Sequence, residues 1–96
     1  MQMEYVLAAF RSRQQVQQFR EMLRGTGIPA EVVNTPHRIA MGCGVSVRFP
    51  ADALDRAREI YESRCRESHT SFVGFYGVYH ARGRLETVPL YRRFLQ

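Results

Sequence analysis

The order of its periodicities constrains this chain more than any other feature. Residues 5–10, Tyr-Val-Leu-Ala-Ala-Phe, are apolar on both alternating faces, which places a first strand inside a sheet. Ser12 caps the helix that follows, with Gln15 completing a capping box. Val16, Phe19, Met22 and Leu23 form its apolar stripe, and Gly25 and Gly27 end it. Residues 30–34 read as a short second strand, and residues 35–44 as a connection holding one proline and two glycines. Val45, Val47 and Phe49 alternate with Ser46 and Arg48, a half-buried third strand closed by Pro50. A second helix runs from 51 to about 65, with Leu54, Ala57, Ile60, Tyr61 and the stem of Arg64 inward. Residues 68–71 turn into a fourth, aromatic-rich strand over 72–80, weakened by Gly74 and Gly77. An Arg82-Gly83-Arg84 turn leads to a short fifth strand over 85–88, and residues 89–96 read as a tail.

This β-α-β-β-α-β order is the split βαβ pattern of a ferredoxin-like α+β sandwich, with a mostly antiparallel sheet and both helices on one face. The fold hosts many unrelated functions, so function has to come from residues. It does fix geometry. The start of the first helix, the 35–44 loop and the end of the second helix belong at one end of the sheet. The 96 residues make one domain, and no internal repeat or linker divides them. A chain this small suits a carrier, adaptor or regulator better than an enzyme enclosing its own active site.

All fourteen basic residues are arginine, and the net charge is +5. The arginines are dispersed, so they favour encounter with acidic partners without marking a nucleic-acid block. No apolar run approaches the ~18 residues of a membrane span, and residues 5–10 are too few for a signal-peptide core. The expectation is a cytoplasmic chain with no membrane contact and two reduced thiols, Cys43 and Cys65.

Met41-Gly42-Cys43-Gly44 is the most informative stretch. A thiol between Gly42 and Gly44 has no neighbouring side chains to shield it, and its backbone can approach a partner closely. Thiolate is the reactive form, favoured near arginine and near a helix N-terminus. Arg38, Arg11 and Arg13 are the candidate anion holders, and the Ser12 amide would add about 0.5–1 kcal/mol of helix-dipole stabilisation. His37 would modulate the thiol electrostatically. The alternative is that the glycines serve turn geometry and Cys43 packs as a small residue.

The Thr35-Pro36-His37-Arg38-Ile39 segment, followed by Cys43-Gly44 and the apolar strand from Val45, resembles the selenium/sulfur carrier protein-like family. The second helix beginning Pro50-Ala51-Asp52 and the Phe75-Tyr76-Gly77-Val78-Tyr79 strand are similar as well. The resemblance covers most of residues 4–88. It implies a bacterial-type carrier holding a persulfide or selenopersulfide on Cys43, with donor and acceptor proteins as partners and no cofactor. The tail and Arg92-Arg93 go beyond the family pattern.

Other chemistry-bearing residues have blander readings. Cys65 falls at the same end as Cys43, but helix and sheet layers stand about 10 Å apart, beyond the ~7 Å that a disulfide spans, so it reads as an incidental thiol. His37, His69 and His80 lack metal-ligand spacing, so no metal is expected. His69 reads as an exposed turn residue and His80 as pointing out of its strand. Asp52, Asp55, Glu59 and Glu62 with Arg56 and Arg58 form a solvated helix face. Two further functions stay open. One is a non-catalytic module whose 35–44 loop docks a partner or small anion. The other is RNA binding through sheet aromatics, the weakest reading because no RNP1 pattern is present. The doubly apolar first strand asks for cover over the open sheet face, which makes a homodimer a further expectation.

Overall fold

The computed structural model describes residues 2–36 and 44–92. Its elements run β1 (Met3–Phe10), α1 (Arg13–Gly25), β2 (Glu31–Asn34), β3 (Val45–Pro50), a 3-10 turn (Ala51–Ala53), α2 (Leu54–Ile60), a π-helical turn (Tyr61–Cys65), β4 (Phe72–Ala81) and β5 (Arg84–Arg92). The five strands form one sheet in the order β2-β3-β1-β4-β5, and every neighbouring pair is antiparallel. This is the ferredoxin-like arrangement with β5 added at one edge. β1 takes an interior position, as its two apolar faces require. Among the described residues no helix is long and apolar enough to cross a membrane.

Period-two alternation decides which side chains meet the helices. Val6, Ala8 and Phe10 stand opposite Phe49, Val47 and Val45, and all six join Val16, Phe19 and Leu23 of α1 in one buried cluster. Phe75 lies in the middle of this layer. Its ring centroid is 5.0 Å from that of Phe72, 6.0 Å from Phe49, 6.1 Å from Tyr91 and 6.2 Å from Phe19 and from Tyr61.

Three expectations change in the helices and the last two strands. The inward residue at the end of the second helix is Cys65; Arg64 is exposed. The π-helical turn at Tyr61–Cys65 adds to the residues per turn and so rotates the stripe by one position. β5 continues to Arg92, through residues that read as tail. The turn before it places Arg82 at φ 55° and Gly83 at φ 80° between the closing pair Ala81 and Arg84, a type I′ hairpin. Alternation from that pair points the Pro89 nitrogen away from β4, so the proline removes no ladder bond. Gly77 does more than weaken β4: a Cβ there would stand 2.6 Å from Met3 Sδ, so the glycine makes room for that side chain.

The open face of the sheet also differs from expectation. Leu7, Ala9 and Tyr76 are buried within the single chain, which removes the argument for a second copy covering them. Phe72, Phe75 and Tyr76 are at most 3% exposed, so none of these three offers a face to a nucleic-acid base.

Candidate functional site

Phe10, the last residue of β1, pairs with Val45 at the start of β3 and with Phe72 at the start of β4. Three chain segments therefore leave one end of the sheet together: Arg11 and Ser12 into α1, Gly44 back into the 35–44 loop, and Ser71 back toward the second helical segment. That segment ends here too, where the Cys65 carbonyl accepts from the Ser68 N–H at 3.1 Å and the His69 N–H at 2.7 Å.

The base of the loop is fastened twice. The Thr35 N–H donates to the Gly44 carbonyl at 3.1 Å, and the Thr35 and Ser46 hydroxyls meet at 2.6 Å in a buried pair. Cys43 precedes Gly44 in the sequence. Gly44 is exposed, and a Cβ built on it meets nothing within 4 Å. No crowding requires glycine there. His37, Arg38, Gly42 and Cys43 lie outside the described residues.

At the facing helix start, the Ser12 hydroxyl accepts from the Gln15 N–H at 3.2 Å, as the capping pattern predicts. The reciprocal half of the box is relayed through Ser71. The Ser12 N–H donates to Ser71 Oγ at 3.1 Å, and Ser71 Oγ and its backbone N–H both donate to Gln15 Oε1, at 2.5 and 2.9 Å. The Arg11 N–H is taken by the Ser71 carbonyl at 2.9 Å. Ser12 is thus saturated as a cap, which corrects the expectation that its amide meets an anion. The Arg13 and Gln14 amides remain at the positive end of α1, with exposed Arg11 and Arg13 side chains beside them.

The family model described as "Putative Se/S carrier protein-like" matches residues 5–76 of the 96. The chain belongs to that family. The matched segment runs from β1 into β4, so the carrier-family core includes the loop base and the α1 start, and β5 lies beyond it. Neither the curated proteins nor the solved structures contain a match.

Within this carrier-family core, Cys65 is a free thiol with no exposed surface. Its Sγ lies 3.2 Å from Met22 Sδ, and burial pushes its pKa up to about 11. It is a packing residue, inert at neutral pH. His69 is buried, against expectation. Its ring meets Phe10 edge-on at 5.9 Å, its Nδ1 is 2.9 Å from Ser68 Oγ, and its Nε2 has no partner among the described residues. His80 points outward as its strand position predicts, 3.6 Å from Glu4. Among the described residues no group of His, Cys, Asp and Glu is placed to hold a metal ion.

Burial lowers the His69 pKa below its ordinary 6.5. The folded ring is therefore neutral while the unfolded chain takes up a proton as pH falls through about 6.5. Stability is full above that value and declines below it toward the folded pKa. The urea midpoint is expected to drop between about pH 7.5 and 5.5 in the native protein and to drop less in His69→Gln. Equal declines in the two proteins contradict this assignment.

Proposed function

We propose that this protein carries sulfur or selenium on Cys43 between a donor and an acceptor protein. The observation that carries the reading is the match to the carrier-like family over the segment that contains Cys43. Two features of its surroundings support it. The neighbouring Gly44 stands in open space, which suits access by a partner thiol. The same end of the sheet carries the Arg11 and Arg13 side chains and the Arg13 and Gln14 amides, which favour an anion.

The Cys43 thiolate attacks the outer sulfur of a donor cysteine persulfide. A sulfur–sulfur bond forms to Cys43, the donor's sulfur–sulfur bond breaks, and the donor leaves as thiolate. An acceptor thiolate then attacks the outer sulfur on Cys43, and the Cys43 thiolate is released. One sulfane sulfur moves with no net oxidation, and a selenium atom moves the same way. The residues in named roles are Cys43 as nucleophile, and Arg11, Arg13 and Arg38 as the positive surroundings of its charged form. His37 adds a titratable neighbour, and Gly42 and Gly44 leave the approach open. Incubation with glutathione persulfide tests the reading. Intact mass is expected to rise by one sulfur atom per chain and to return on adding a thiol acceptor; an unchanged mass contradicts it.

A further inference from the structure

We propose that the open edge of β2, overhung by the arginine-bearing flank of α1, is a docking strip for an extended acidic segment of a partner protein. The inference deepens the carrier reading, on which it rests for its purpose, because β2 leads directly into the loop that bears Cys43.

The edge itself follows from the register. Among the described residues β2 pairs with β3 alone. Because the Thr35 N–H donates inward to Gly44, alternation turns the backbone N–H and C=O of Val32 and Asn34 outward. No proline interrupts Glu31–Asn34, and among the described residues neither outward N–H has a partner. β5, at the opposite edge, carries Pro89 at an outward position and lacks that donor.

The charge follows from helical spacing. One flank of α1 packs toward the second helical segment: Gln15 reaches Ser68 and Ser71, Met22 touches Cys65, and the Thr26 carbonyl accepts from Arg56 at 2.9 Å. Arg13, Gln17, Arg20 and Arg24 recur at i, i+4, i+7 and i+11 on the other flank, away from those contacts. α1 also packs on β2 and β3, so this flank overhangs the β2 edge. Arg20 is joined to Glu21 at 2.9 Å, while Arg13 and Arg24 have no ion-pair partner among the described residues. Glu31, the one acid on β2, is already held by Arg48.

At its Glu31 end the strip opens into a cleft of about 680 Å³, whose lining includes Arg24, Ile28, Pro29, Ala30 and Phe49. The occupant is thus an extended strand that pairs with Val32 and Asn34, turns carboxylates toward α1 and seats an apolar side chain in the cleft. A second copy of this chain does not fit: pairing two β2 edges would bring two arginine flanks together. Four residues of pairing are few, so the charges supply much of the attraction and salt weakens it.

The test is a heteronuclear NMR titration of the full chain, in its Cys43→Ser form, at low salt. The probe is a synthetic peptide of alternating glutamate and valine, N-methylated at every second residue so that only one edge can pair. Saturable shifts are expected at the Val32 and Asn34 amides. Kd should rise about tenfold in the double variant Arg13→Glu/Arg24→Glu, whose exposed positions spare the fold. Val32→Pro removes an outward donor and should abolish binding. Shifts at the β5 edge, equal binding of a fully N-methylated peptide, or equal binding by the arginine variant would each overturn the strip. So would a dimer of the native chain that Val32→Pro dissolves. Because Cys43→Ser holds no sulfur, failure here leaves the carrier reading untouched, and failure of sulfur loading leaves the strip untouched.

Discussion

Cys43→Ser is expected to take up no sulfur from glutathione persulfide at neutral pH, while Cys65→Ser loads as the native chain does. The contrast rests on the thiolate requirement for attack on a sulfane sulfur. Cys65 has no exposed surface, and a pKa of about 11 leaves roughly one molecule in three thousand ionised at pH 7.5. It also sits against Met22 in the core, where no donor reaches it. Cys43 adjoins the exposed Gly44 at the end of the sheet that carries the α1 positive end. Mass spectrometry after proteolysis should therefore find the added sulfur on the Cys43 peptide alone. Loading of Cys43→Ser, or loading confined to Cys65, contradicts the assignment.

Phe75→Ala is expected to cost about 3–5 kcal/mol, which lowers the Tm by on the order of 20 °C in a domain of this size. Phe75 is fully buried, and its ring meets rings from α1, β3, the π-helical turn and β5. Truncation leaves a cavity that rigid strands on either side cannot close. Total stability is about 5–15 kcal/mol, so the variant stands near the folding threshold at 37 °C. Thermal melting followed by circular dichroism checks this, and a loss below about 1 kcal/mol contradicts the central place given to Phe75. The same residue explains why β5, outside the family match, belongs to the domain: Tyr91 reaches it across the β4–β5 pair.

Local patterns were legible in the amino-acid order, and non-local ones were not. The interior position of β1 follows from apolar residues on both faces, and the α1 stripe and cap follow from spacing within one helix. Ser71, by contrast, joins the cap from fifty-six positions beyond Gln15, a distance no capping motif spans. The exchange of Arg64 for Cys65 as the inward residue hangs on one extra residue in a π-helical turn, which hydrophobic periodicity cannot see. His69 reads as exposed because it stands in a polar turn, yet that turn folds onto Phe10. Pro89 suggests the end of a strand, whereas on an outermost strand its missing N–H costs nothing. The candidate site follows the same division. The Gly42-Cys43-Gly44 pattern marks a candidate thiol from sequence alone. The saturation of Ser12, which leaves the Arg13 and Gln14 amides as the helix-start donors, needs the three-dimensional contact with Ser71.

The central claim is that Cys43 is an open, electrostatically activated thiol, and the pH dependence of its alkylation in Cys65→Ser measures that most directly. An ordinary cysteine titrates near ~8.5. The account predicts fast labelling with an apparent pKa of about 7 or below, rising when Arg13 is replaced by glutamate. Slow labelling, or a pKa at or above ~8.5 that the Arg13 replacement does not move, would contradict it.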